Sequence, residues 1–128
     1  MDALGGEPGV HSARYGGLAA TDLDRVHLVL ERMRNVPDAE RTARFVAVVA
    51  VAAPGRETAT FEGQVEGCIA REPRGTAGFG YDPIFYYPPW GCTFAEVTRD
   101  RKAEVSHRGK AMSAAVAYLL SEQEGLYT

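Results

Sequence analysis

Residues Arg74 to Phe85 read R-G-T-A-G-F-G-Y-D-P-I-F. Gly75, Gly78 and Gly80 surround one aromatic residue, Phe79, and the run closes on Tyr81, Asp82 and Pro83, so it predicts a bent loop rather than a regular element. Glycine removes side-chain bulk and lets backbone amides approach a ligand, Phe79 offers a flat face for stacking, and Asp82 supplies a fixed acceptor. The same letters also suit a plain turn between strands with Phe79 plugging the core.

A second stretch, K-A-E-V-S-H-R-G-K from Lys102 to Lys110, shifts the balance. Ser106 has the chemistry of a helix N-cap, which puts His107 and Arg108 in a first turn ahead of an amphipathic helix. Basic side chains are poorly placed against the positive end of a helix dipole, and an acceptor-rich ligand would supply the reason for them. Surface solvation is the plainer alternative.

Between and around these stretches the pattern is that of an α/β chain. Val26, Val29, Leu30 and Met33 recur at helical spacing after Thr21, predicting a helix from Thr21 or Asp22 to about Arg34, ended by Asn35, Pro37 and Asp38. Ala43 to Ala53 is continuously apolar and β-branched, as expected of a central strand with both faces covered. Thr60 to Ala70 alternates, with Phe61, Val65 and Ile69 on one face and Glu62, Gln64 and Glu66 on the other, so one face is buried. Glu62 and Glu66 read as solvated rather than metal-binding. Thr93 and Glu96 fit a capping box, and Met112, Ala115, Val116, Leu119 and Leu120 form the expected buried stripe of the last helix.

Composition narrows the function classes. A chain of 128 residues, 45% hydrophobic and 24% charged, has the balance of one globular domain or part of one. Its net charge of -3 argues against a nucleic-acid-coating surface, whereas a small anionic ligand needs only a local basic cluster. Cys68 and Cys92 lack metal-ligand spacing and read as reduced thiols, with a single disulfide between them left open. The longest apolar run, Phe45 to Ala53, is too short to span a bilayer and no secretion signal is visible, so a cytoplasmic protein is expected.

Four segments then match one family in order: D-A-L-G-G-E-P-G-V-H-S-A-R-Y at Asp2 to Tyr15, G-F-G-Y-D-P-I-F at Gly78 to Phe85, T-F-A-E-V-T at Thr93 to Thr98, and S-H-R-G-K-A at Ser106 to Ala111. The chain resembles the inosine/xanthosine triphosphate pyrophosphatase family. The resemblance implies an α/β fold with a mixed, twisted sheet flanked by helices, two lobes around a central cleft, and commonly a homodimer. It implies hydrolysis of deaminated purine nucleoside triphosphates to the monophosphate and pyrophosphate by attack of water on the α-phosphoryl group, with Mg2+ bridging phosphate oxygens. Phe79 would stack on the base, Gly80, Tyr81 and Asp82 would shape the pocket, and Lys102, His107 and Arg108 would contact base and nucleotide. Arg14 is a candidate contact to ligand or to a second subunit, or a surface arginine; His11 is given no role.

Family members also carry an opening strand with a T-x-N-x-x-K loop, and a D-D-S-G-L run just ahead of the D-A-L-G-G segment. Neither occurs here. The expectation is therefore a single domain over residues 1–128 that is the C-terminal portion of the family's domain, with the first strand and helix, and the catalytic and metal-binding carboxylates, lying upstream. The family usually has valine at the place of Met1; valine and a bacterial alternative start share the codon GTG, so Met1 reads as a family valine taken as initiator. Two functions stay open: part of a pyrophosphatase, or a non-catalytic nucleotide-binding or dimerising remnant.

Overall fold

The computed structural model describes residues 1–128 apart from Val10, His11, Ala13, Arg14, Leu18, Tyr127 and Thr128, and it describes no side chains for residues 122–126. Arg14 and His11 therefore lie outside the described residues. The elements run α1 (Asp22–Arg32), β1 (Thr42–Val51), β2 (Ala59–Ile69), β3 (Phe85–Tyr87), β4 (Cys92–Thr93), α2 (Arg99–Ala103) and α3 (His107–Leu126), with 3-10 turns between them. The strands form one sheet in the order β1-β2-β3-β4, and β3 is antiparallel to both β2 and β4. This is the expected α/β class.

The chain divides into two compact units. The first comprises residues 1–44 and 66–99. Its helix α1 begins at a closed capping box: Thr21 Oγ1 accepts from Asp24 N at 3.1 Å and Asp24 Oδ2 accepts from Thr21 N at 2.9 Å. Val26, Val29 and Met33 then recur on the buried face, as their spacing predicts. Phe85 and Phe94 pack at a ring separation of 4.9 Å, and Phe94 meets Tyr87 at 5.6 Å. A Cβ on Gly67 would lie 2.5 Å from Tyr86 O and 2.8 Å from the Phe85 ring, so only glycine lets β3 cross β2 at this point.

Arg41 closes this unit. Its guanidinium is only 3% exposed and donates Nε to Ile69 O (2.8 Å), Nη1 to Met33 O (2.6 Å) and Val36 O (3.4 Å), and Nη2 to Ala70 O (3.1 Å). The C-terminal carbonyls of a helix and the end of a strand thereby share one planar donor. Burial, with Arg71 nearby, lowers the Arg41 pKa from its usual value.

The second unit comprises residues 45–65 and 100–128. Val65, Ser106, Ala111 and Ala115 are buried in it, and Phe61 meets Tyr118 at 5.2 Å. Two expectations are corrected here. The apolar run of β1 is not covered on both faces: the strand stands at one end of the sheet order and alternates, leaving Val46 and Val48 49% and 61% exposed. In α3 the buried positions are the small Ala111 and Ala115, because a close approach to β2 admits only short side chains, while Met112, Val116, Leu119 and Leu120 lie on the open side at 46–56% exposure.

Replacing Arg41 by Ala leaves several buried carbonyls without a donor and should lower stability in urea unfolding by about 3 kcal/mol, with Arg41→Lys recovering part of it. A loss below about 0.5 kcal/mol would show that Arg41 does not hold the unit together.

Candidate functional site

The glycine loop in the first unit is fixed at both ends. Thr93 Oγ1 donates to Arg74 O at 2.8 Å, Arg74 N to Pro83 O at 2.9 Å, and Ala77 N to Ala95 O at 2.9 Å. The Thr93 hydroxyl oxygen accepts from Glu96 N in the expected capping box, with Thr93 N donating to Glu96 Oε1 at 3.0 Å, so the hydroxyl hydrogen is left for Arg74 O. Gly75 has φ +85°, and a Cβ there would fall 2.3 Å from the Ala95 carbonyl; Gly78 has φ +72°, and a Cβ would fall 2.2 Å from Asp82 Oδ2. Both positions combine a left-handed backbone with no room for a methyl group.

Asp82 sits inside this turn, 2% exposed, and accepts from Phe79 N at 3.0 Å. Gly80 N donates to Asp22 Oδ2 at 3.1 Å, linking the loop to the first turn of α1. Tyr81 is buried, donates its hydroxyl to Ser12 O at 2.6 Å, and has its pKa pushed from 10.0 to about 12 by burial. The outcome is that Phe79 is carried on a hydrogen-bonded backbone and is 54% exposed. Of the four predicted residues in the loop, Phe79 and the half-buried Gly80 present surface, while Tyr81 and Asp82 hold the backbone that presents them.

In the second unit, the half-buried Lys102 lies on α2, and Ser106 N closes onto Lys102 O at 2.9 Å. Ser106 caps α3 as expected, its Oγ accepting from Gly109 N at 3.0 Å. His107 and Arg108 thus start a 20-residue helix, His107 half-buried and Arg108 exposed. Gly63 in mid-β2 explains how the helix start reaches the strand: a Cβ there would lie 2.1 Å from His107 O and 2.7 Å from Ala111 N. Phe45 stacks on the His107 imidazole at 4.9 Å and 14°. Lys102, His107 and Arg108 are therefore neighbours along one capped turn.

Two cavities in the first unit, of about 350 and 430 Å3, are lined by other residues, among them Asp2, Arg44 and Glu66 in one and Arg41, Arg71 and Arg74 in the other. The chemistry argued from sequence does not point to them. Among the described residues no three of His, Cys, Asp and Glu come together to hold a metal ion. Asp82, the buried carboxylate of the loop, is committed to a backbone amide, so the described residues do not fit a magnesium site. Both cysteines are free thiols. Among the described residues no helix is long and apolar enough to cross a membrane.

The first unit thus carries an aromatic residue on a glycine loop fixed at both ends, and the second carries basic residues at a capped helix start, within an α/β chain. The chain belongs to the Ham1 family, whose model matches residues 1–118. It is 58% identical over 112 residues to the dITP/XTP pyrophosphatase of Thermus thermophilus, a match that covers 88% of this chain and 54% of that protein. Among solved structures it is similar to the Staphylococcus aureus Ham1 protein, with a TM-score of 0.90 and 40% identity over 94% of this chain and 62% of that one. A HAM1 protein from Coxiella burnetii gives a TM-score of 0.88 and 43% identity over the same shares. The chain spans about half the length of the curated relatives it matches.

Because the Tyr81 pKa is higher in the folded chain than the ordinary 10.0, burial of the neutral phenol stabilises the fold fully below pH 10 and loses that contribution as pH rises through about 12. Stability measured across that window should fall more steeply for the parent chain than for Tyr81→Phe. Parallel curves for the two would remove Tyr81 from the anchoring of the loop.

Proposed function

We propose that this chain is the base-recognising part of a pyrophosphatase that hydrolyses deaminated purine nucleoside triphosphates, ITP, dITP and XTP, to the monophosphate and pyrophosphate. The observation that carries the reading is the exposed Phe79 ring held on its locked loop, in a chain whose relatives at 46–58% identity are named dITP/XTP pyrophosphatases. Phe79 supplies a stacking face for the purine. Arg108, always charged and purely a donor, suits the 6-keto oxygen of hypoxanthine or xanthine and leaves the amino group of adenine without an acceptor. Such a mismatch costs on the order of a few kcal/mol, a discrimination of about a hundredfold or more. Lys102 and His107 act as further nucleotide contacts.

Magnesium is the cofactor of the proposed reaction, held by carboxylates upstream of Asp2 in the complete protein. The whole protein works in the cytoplasm as a homodimer. The open apolar side of α3, at Met112, Val116, Leu119 and Leu120, supports a partner surface on this chain. Sedimentation equilibrium should give a dimer that Val116→Lys and Leu120→Lys together disperse; a monomer at all concentrations would remove the homodimer.

The test of the reaction is pyrophosphate release with Mg2+ from ITP and XTP, with GTP and ATP as controls, for this chain and for a form extended upstream of Met1. The extended form should prefer ITP and XTP, and Phe79→Ala should raise its KM about tenfold, the equivalent of one lost stacking contact. Release without preference for the keto purines, or none from either folded form, would overturn the proposal.

A further inference from the structure

We propose that Phe45 is a positioning residue for His107, setting the orientation in which the imidazole meets its ligand. The proposal rests on the reading of His107 as a nucleotide contact. It goes beyond it by naming a residue more than sixty positions away in sequence that no motif marks.

The argument starts from what fixes His107 and what does not. The backbone of the helix start is held by contacts that leave little freedom: Gly63 opposes His107 O, Ser106 Oγ accepts from Gly109 N, and Lys110 Nζ donates to Gln64 O at 2.8 Å. Gly109 adds to this, since a Cβ there would lie 2.2 Å from Ala103 O, so the turn between α2 and α3 closes on bare backbone. None of these contacts sets the side-chain torsions of His107. An imidazole at a first helical turn has several rotamers open to it, and the ring plane must be chosen by something that touches the ring.

Phe45 touches it. The alternation of β1 turns Phe45 to the same side as Ala43, away from the exposed Val46 and Val48, and its ring lies nearly parallel to the imidazole at 14° with centroids 4.9 Å apart. That separation is the range of an offset stack, which restricts the imidazole to one plane. An aliphatic side chain of similar size would fill the volume without imposing a plane. The register of β1 thereby determines the attitude of a group on α3, as is expected where a positioned side chain is locked by packing around it.

The test uses the chain as it is, with inosine triphosphate as the probe. The His107 ring resonances, assigned by their loss in His107→Gln, should carry a ring-current shift that disappears in Phe45→Leu and persists in Phe45→Tyr. Inosine triphosphate affinity should fall about tenfold in Phe45→Leu, and the double variant Phe45→Leu/His107→Gln should be no weaker than His107→Gln alone, because one residue acts through the other. Phe45→Tyr should retain the affinity, because it keeps the stacking ring. His107 resonances unmoved in Phe45→Leu, or losses that add in full in the double variant, would overturn the positioning role. Unchanged affinity in His107→Gln alone would overturn the nucleotide reading of His107, and is separable because the resonance shifts report the stack directly.

Discussion

The first unit depends on a buried charge. Taking a guanidinium out of water is unfavourable unless its donors find acceptors, and Arg41 finds four, all backbone carbonyls. Two of these, Met33 O and Val36 O, lie at the end of α1 and just beyond it, where intrahelical partners run out. The other two, Ile69 O and Ala70 O, lie where β2 ends. From there the linkage continues through backbone alone: Ile69 N returns to Arg41 O at 2.8 Å, Ala70 N reaches Ile84 O at 2.8 Å, and Ile84 N reaches Tyr81 O at 3.0 Å. The glycine loop is thus supported, bond by bond, from one arginine. Arginine suits the role better than lysine because its fork is planar, permanently charged and weakly hydrated.

The loop itself trades side-chain chemistry for rigidity. Asp82 looks, by type, like a group for contacting a ligand, yet its Oδ2 is turned inward onto Phe79 N, in space that Gly78 leaves by having no Cβ. An exposed aromatic ring ordinarily gains nothing for the fold. On the proposed function, a ring carried on a backbone held by these hydrogen bonds has less conformational freedom to lose when it meets a ligand, which is how preorganisation converts into affinity.

Local signals were legible in the sequence and long-range ones were not. Thr21, the Thr93/Glu96 pair and Ser106 could be read as caps because a cap is satisfied within three or four residues. The alternation of β2 could be read because period two is a property of the strand alone. By contrast, β1 and α3 were read as covered because apolar runs record which faces suit burial and carry no information about what lies against them; Val48 and Leu120 are more than half exposed. Nothing local marks Arg41, since its acceptors sit up to 29 residues away. Gly63 carries a signal: an isolated glycine inside a strand marks close backbone approach, here by the first turn of α3. Phe45 gave none, because stacking on His107 follows only once the glycine has brought helix and strand together.

This distribution of roles bears on how a purine would be selected. Every base offers a π-face, so an aromatic ring such as Phe79 contributes affinity with little discrimination. Selection between a keto and an amino purine must then come from groups whose hydrogen-bonding character cannot be inverted. Histidine can present either a donor or an acceptor according to its protonation, whereas arginine can only donate. On the proposed function, Arg108 is therefore the residue that enforces the keto preference, and His107 is useful only insofar as its ring is held in a fixed attitude. An imidazole free to turn would lose that freedom on meeting a ligand, so on this reading a stack that fixes the ring plane serves affinity, while discrimination rests on Arg108.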